Sequence, residues 1–225
     1  MNNDTVHKEE KIRILMVDDH PIVREGMALF LNAQADLHLC CEAGNAEDGM
    51  ASFAACDPAL VIVDISLGKD SGLDFIKALR RLSPGLGVLA MSLHDELIFA
   101  ERALRAGANG YLMKHEATAN ILRAVRLVLS GGIYLSDAMH GRLAQKLATP
   151  GGPSGIIASP IAGLSEREFE ILHLLGLGFG TRQISEKLNR SIKTIETHRA
   201  SLKEKLQLQS GADLVRFAGQ WLEGQ

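Results

Sequence analysis

The stretch LVIVDISLGKDSGLDFIKALRRLSPGLGVLAMS, residues 60–92, decides the fold. Its two ends, Leu60 to Asp64 and Gly87 to Ser92, are short apolar runs of the length and β-branched content of buried strands. Between them Ser71 stands where an N-cap belongs, and residues 72–82 space their apolar side chains for a helix. Two strands joined through such a helix lie parallel, because a parallel pair needs a crossover connection. Both runs are nearly continuous Val, Ile and Leu, as expected when helices cover both faces of a sheet.

The same alternation extends to either side. Strands are predicted at Ile12 to Val17, Leu37 to Ala43 and Asn109 to Met113, and helices over 21–33, 46–55, 95–106 and 117–130, with Asn45 as a second N-cap. Five β-α units in sequence make a doubly wound five-stranded parallel α/β sheet, flavodoxin-like in type. A further helix is predicted over 137–147. Between Ala148 and Gly163 nine of 16 residues are Pro, Gly or Ser, which reads as a linker. Beyond it every periodic segment is helical, over 165–177, 181–188, 192–207 and 211–222, and Ser165 with Glu168 forms a capping box. The expected organisation is an α/β domain over 11–130, a helix plus linker over 131–163, and a small all-α domain over 164–225.

Composition excludes several classes of function. The chain has 225 residues, 46% of them hydrophobic and 23% charged, the profile of an ordinary globular protein. No apolar run exceeds five residues, far short of a membrane span, and the start MNNDTVHKEEKIR has no apolar secretory core. Cys40, Cys41 and Cys56 are odd in number and lack CxxC spacing, so they are expected as small core residues in a reducing cytoplasm. With 24 Lys plus Arg against 27 Asp plus Glu, the net charge of −3 argues on its own against a nucleic-acid binder.

That average conceals a division. Residues 160–225 hold nine Lys or Arg and eight Asp or Glu, and within them 182–205 carry seven basic and three acidic residues. The acidic excess lies in the first domain, where ligands bind beyond the carboxyl ends of the strands. There the first strand ends in Asp18-Asp19, the third in Asp64 and the fourth in Ser92, and Lys114 follows the fifth. An Asp at a strand end is often only the cap of the next helix, and a lone Lys is usually a solvated loop charge. The joint pattern is not. Three carboxylates on one rim require a cation, and Mg²⁺ suits an all-oxygen site that also takes a phosphate oxygen. An Asp beside it can attack phosphorus to give an aspartyl phosphate, and Asp64, alone at the end of a central strand, is the candidate. Lys114 and Ser92 are placed to neutralise and hydrogen-bond the transferred group.

At this point the runs ILMVDDHPIVREGM (14–27), VIVDISLGKDSGLDFI (61–76), VLAMSLHDE (88–96) and AGANGYLMKHE (106–116) are seen to resemble the receiver domain of two-component response regulators. The resemblance implies phosphoryl transfer from a phosphohistidine on a sensor histidine kinase to Asp64. It implies Mg²⁺ held by Asp18, Asp19, Asp64 and the backbone carbonyl of Ser66, contacts to the phosphoryl group from Ser92 and Lys114, and Tyr111 as the aromatic that repacks with Ser92. Where many receivers have Pro four residues after the acceptor, this chain has Gly68, which is expected to loosen the loop.

In the second domain, residues 181–207 read as a short helix, a turn at Asn189 to Ser191 and a longer helix. Ile195, His198, Leu202 and Leu206 form its core stripe, and Lys193, Glu196, Thr197, Ala200 and Lys203 form a polar face of major-groove width. A solvated helix could have the same face. The longer stretch 164–217, LSEREFEILHLLGLGFGTRQISEKLNRSIKTIETHRASLKEKLQLQSGADLVRF, resembles the LuxR-type DNA-binding domain. By that resemblance 192–206 is the recognition helix on double-stranded promoter or operator DNA, with Glu196, Thr197 and Ala200 at base edges. Lys193, Thr194, His198, Arg199 and Lys203 would face the phosphate backbone. Gly211 stands where the family usually has Arg. The last helix would contribute part of its Leu214, Ala218, Trp221 and Leu222 stripe to a homodimer on an inverted-repeat site.

The expected whole is a cytoplasmic, phosphorylation-activated transcription factor, with RNA polymerase as a further partner and no membrane role. It would be no enzyme beyond gaining and losing its own phosphoryl group. A hydrolase or phosphomutase working through aspartyl phosphate would need a general acid/base beside the nucleophile, and two residues after Asp64 stands Ser66. A protein-interaction adaptor without DNA activity would not need the basic helical face.

Overall fold

A computed structural model describes residues 11–68, 70–93, 96–141 and 160–223. The chain divides into two compact units, Met1–Leu147 and Ala148–Gln225.

In the first unit, β1 (Ile12–Val17), β2 (Leu37–Ala43), β3 (Leu60–Asp64), β4 (Gly87–Ser92) and β5 (Gly110–Met113) form one all-parallel sheet in the order β2-β1-β3-β4-β5. The helices α1 (Pro21–Asn32), α2 (Ala46–Cys56), α3 (Gly72–Leu82), α4 (Glu96–Ala106) and α5 (Ala117–Leu129) provide the crossovers. This is the expected doubly wound fold, with helix ends within a residue of those read from the pattern. Asn45 and Ser71 cap α2 and α3, accepting from the backbone N–H of Asp48 and Asp74. Leu60, Val61, Ile62 and Val63 are all fully buried, which accounts for their unbroken apolar character. One core cluster joins Ile14, Met16, Ile62 and Leu89 of the sheet to Leu31 of α1 and Ile121 and Val125 of α5. Each such side chain contributes about 1.5–3 kcal/mol on burial.

The first unit does not stop at α5. Tyr134, only 6% exposed, bridges Gly110 in parallel, donating its N–H to Asn109 O and accepting from Tyr111 N, both at 2.9 Å. The buried Glu96 carboxylate accepts from Ser136 N. Residues 137–141 are helical, while 142–147 of the expected helix and the linker as far as residue 159 lie outside the described residues.

The cysteines depart from expectation. Cys41 and Cys56 are joined in a disulfide rather than standing as separate core thiols, and Cys40 beside them is free and half-buried. Period-two alternation should send neighbouring strand residues to opposite faces, so the sequence offers no pairing. A register shift between Ile14 and Leu15 breaks that alternation at Cys40.

In the second unit, a 3-10 turn (Pro160–Gly163) leads to α6 (Glu166–Gly176), α7 (Thr181–Lys187), α8 (Ile192–Lys205) and α9 (Gly211–Glu223). The capping box forms as read: Ser165 Oγ accepts from Glu168 N, and Glu168 Oε2 from Ser165 N. The turn between α7 and α8 lacks Gly because Asn189, at φ +48°, takes the left-handed conformation instead. Phe169, Leu172, Ile184, Ile195, Leu202 and Leu214 form the core. At Gly176 a Cβ would lie 2.7 Å from Ala218 O, so that glycine permits α6 and α9 to close.

Candidate functional site

The topological switch lies between β1 and β3, both of which pair with each other while their crossovers leave in opposite directions. Val17 is in register with Val63, which sets Asp18 beside Asp64 at the next position. Ser92 closes β4 opposite Met113 of β5, and Lys114 follows at once. Four strand ends thus deliver the expected groups to one rim.

Asp18 is fully buried, Asp64 is 2% exposed and Ser92 is fully buried. The Lys114 ammonium lies 2.7 Å from Asp64 Oδ2, to which it donates, and 2.7 Å from Asp18 Oδ2. The second contact is an ion pair. Asp18 Oδ2 and Asp19 Oδ1 are buried oxygens that accept no hydrogen bond. Asp64 Oδ1 accepts from Ser66 N at 3.0 Å.

Burial pushes the Asp64 carboxyl above its ordinary range, and Asp18 adds to this, while Lys114 pulls the other way. Burial acts to lower the Lys114 ammonium, but Asp64 and Asp18 outweigh it and hold it above its ordinary range. The pocket is therefore short of positive charge by itself: one cation faces three carboxylates. One ligand atom from each of Asp18, Asp19, His20 and Asp64 lies within 4.8 Å of the others. Three carboxylates in an oxygen-rich group of that size, balanced by one ammonium, fit a hard divalent cation.

His20 was not singled out from the sequence. Its Nδ1 lies 3.1 Å from Asp18 Oδ1 and 2.9 Å from Asp19 Oδ1. The signal was its place directly after the paired aspartates. Gly72 was missed too: a Cβ there would lie 2.1 Å from Asp64 O and 2.6 Å from Ile65 Cα, so α3 can start this close to the strand end only with glycine. Gly68 is not merely a loosened link. Its φ of +57° is closed to proline, and a Cβ there would stand 3.2 Å from Asp19 Oδ2. Tyr111 lies one strand over, its ring fully buried.

On α8, Lys193, Thr194, Glu196, Thr197 and Ala200 are exposed, while His198, Arg199 and Lys203 are half-buried. Ser191 caps the helix, accepting from Thr194 N, and Thr197 Oγ1 donates to Lys193 O. Arg199 donates to Thr181 Oγ1 at 3.0 Å, tying α8 to the start of α7, and its guanidinium lies beside Gly211. Burial pushes the His198 imidazole below its ordinary range, against the pull of Glu168. Beneath the exposed face, the buried Glu168 of α6 accepts from Ser201 Oγ and Lys205 Nζ of α8. No helix among the described residues is long and apolar enough to cross a membrane.

Residues 14–126 match the response regulator receiver domain, and residues 162–218 match the bacterial regulatory proteins of the luxR family. The chain is 40% identical over 205 residues to the transcriptional activator protein ExaE of Pseudomonas putida, covering 91% of this chain and 94% of that one. It is 31% identical over 209 residues to the oxygen regulatory protein NreC of Staphylococcus carnosus, covering 92% and 96%. Among solved structures it is similar to RcsB from Salmonella enterica serovar Typhimurium bound to promoter P1flhDC in the presence of the phosphomimetic BeF3⁻. The identity there is 25% and the TM-score 0.54, over 92% of this chain and 98% of that one.

Proposed function

The chain belongs to the LuxR-family response regulators, transcriptional regulators of two-component systems, and on that footing we propose that Asp64 is its phosphoryl acceptor and α8 its DNA-reading helix. The observation that carries this is the pocket at the strand ends, where the buried Asp18 and Asp64 carboxylates converge with Asp19 around the single ammonium of Lys114.

A carboxylate oxygen of Asp64 attacks the phosphorus of a phosphohistidine on a sensor histidine kinase. The P–N bond breaks, and the imidazole leaves with the electron pair. Asp18, Asp19, Asp64 and the Ser66 carbonyl would hold Mg²⁺, which supplies positive charge to the transferring oxygens when bound. Lys114, already on Asp64 Oδ2, turns to a phosphoryl oxygen as that carboxylate becomes an acyl phosphate. Ser92 donates its hydroxyl to another, and Tyr111 repacks into the space that Ser92 leaves.

Phosphorylation then favours a homodimer that reads an inverted repeat in promoter DNA in the cytoplasm. Glu196, Thr197 and Ala200 face base edges, Glu196 as an acceptor for a cytosine amino group. Lys193, Thr194, His198, Arg199 and Lys203 lie toward phosphates. RNA polymerase is the further partner of the DNA-bound form. The first task falls to an α/β unit that runs past residue 130 to the Tyr134 bridge, and the second to the all-α unit over 164–225.

The acceptor is tested by offering a small acyl phosphate and Mg²⁺ to Asp64→Asn. The variant is expected to take up no acid-stable or base-labile label, and labelling equal to the parent protein would overturn the assignment.

A further inference from the structure

Outside the acidic pocket, three sulfur atoms gather at one edge of the same sheet. Cys40 and Cys41 lie on β2, an edge strand, and Cys56 is the last residue of α2. Consecutive strand residues normally point to opposite faces. Here the ladder passes from Ile14 opposite Leu39 to Leu15 opposite Cys41, so Cys40 is the additional residue of a bulge. Bulges re-aim side chains, and this one brings all three sulfurs within 4.8 Å of one another. Cys41 and Cys56 are bonded, and Cys40 Sγ donates to Ile14 O at 3.3 Å. Cys40 and Cys41 are half-buried, within reach of small solutes, while Cys56 is 5% exposed.

The third sulfur thus stands beside the bond, within 4.8 Å of both bonded sulfurs. We propose that Cys41 and Cys56 are a reversible dithiol–disulfide couple, a thiol-modification site for small disulfides, with Cys40 as the neighbouring thiol that opens the bond. In the oxidising direction the Cys41 thiolate attacks one sulfur of a small disulfide such as oxidised glutathione, releasing one glutathione thiolate. The Cys56 thiolate then attacks Cys41 Sγ and releases the second. Two protein thiols are oxidised, one small disulfide is reduced to two thiols, and the two protons pass to the departing thiolates. In the opening direction the Cys40 thiolate displaces Cys41 from Cys56, leaving Cys41 as a free thiolate with no net change of oxidation state. Two molecules of reduced glutathione then reduce the Cys40–Cys56 bond, the first forming a mixed disulfide and the second displacing it as oxidised glutathione, with their protons passing to the two protein thiolates. Such exchange is set by thiolate access and proximity, and in DNA-containing compartments kept reducing by small thiols, a disulfide of this sort is characteristically transient.

The test equilibrates the full-length protein in graded mixtures of reduced and oxidised glutathione, quenches with acid, alkylates and maps the cysteine peptides by mass spectrometry. Cys41 and Cys56 should pass together from fully alkylated to fully protected across the series. The melting temperature of the first unit should rise in step by about 6–12 °C. Cys56→Ala and Cys56→Ser should both lose the protection and the rise. Cys40→Ser should keep both, yet open at least about threefold more slowly in reduced glutathione. The proposal is overturned if the bond stays closed at every ratio, if all three cysteines alkylate at every ratio, or if Cys40→Ser opens at the parent rate.

Discussion

Glu168 offers a direct measure of what holds α8 in place. Its carboxylate accepts from Ser165 N at 2.7 Å, Ser201 Oγ at 2.5 Å and Lys205 Nζ at 2.7 Å, so α6 grips two successive turns of α8. Burial acts to raise this carboxyl, but the hydrogen bonds from Lys205, Ser201 and Ser165 outweigh it and hold it at about 2, against an ordinary 4.5. At about 1.4 kcal/mol for each pH unit that separation is worth roughly 3 kcal/mol. The Lys205 side chain is 42% exposed, and solvent screening there reduces the expected contribution to about 2 kcal/mol. Because the folded-state value lies below the unfolded one, this stabilisation is complete above about pH 5 and is lost as pH falls toward 2. Glu168→Gln keeps the shape and removes the charge. The chain has one tryptophan, Trp221 of α9, which packs edge-on against Phe169 at 5.3 Å, so its fluorescence reports on this unit alone. Denaturation followed at Trp221 should show the variant about 2 kcal/mol less stable at pH 7, with a melting point roughly 8–16 °C lower, and the gap should close by about pH 2. A gap under about 0.5 kcal/mol at pH 7, or one that persists undiminished at pH 2, would refute the reasoning.

Other variants address the remaining parts. Gly72→Ala drives a methyl group into the backbone at Asp64 and Ile65 and should cost about 3 kcal/mol, with acceptor labelling lost in the same protein; chemical denaturation and labelling check it together. Lys114→Ala leaves the buried Asp18 and Asp64 carboxylates without their cation and should destabilise the first unit by about 3–5 kcal/mol in chelator. Millimolar Mg²⁺ should restore much of the lost melting temperature, more than it adds to the parent protein. On DNA, Lys203→Ala should weaken binding to all sequences and lower the salt slope by about 1. Thr197→Ala should instead change the preferred site, read by binding selection from random duplexes.

Much of this molecule was legible because its chemistry sits where backbone periodicity is strongest. Asp18, Asp64, Ser92 and Lys114 each end or follow a strand whose apolar run marks its own limit, and parallel topology then leaves them one place to meet. Ser71, Asn45 and Ser165 declared helix starts through side chains that satisfy the first N–H groups. What escaped notice depends on geometry without a pattern. His20 reads as one more residue in a polar loop until the strand ends converge. The three cysteines look separate because alternation assigns Cys40 and Cys41 to opposite faces, and a single bulge reverses that. Tyr134 follows two glycines in a segment too short to register as a strand, and only its bonds to Asn109 and Tyr111 make it part of the sheet. Net charge misled most, since a carboxylate pocket in one unit masked a basic helix in the other.

The Tyr134 bridge gives the first unit a mechanical property. The chain leaves the sheet stitched to β5, the strand that carries Tyr111 and leads directly into Lys114. Any sliding of β5 that accompanies a change at the acidic rim must drag the outgoing chain along or break two backbone hydrogen bonds, at about 1 kcal/mol each. The outgoing chain is thus fastened to the strand that carries Tyr111 and leads into Lys114, like a cord tied to a lever and not to its housing.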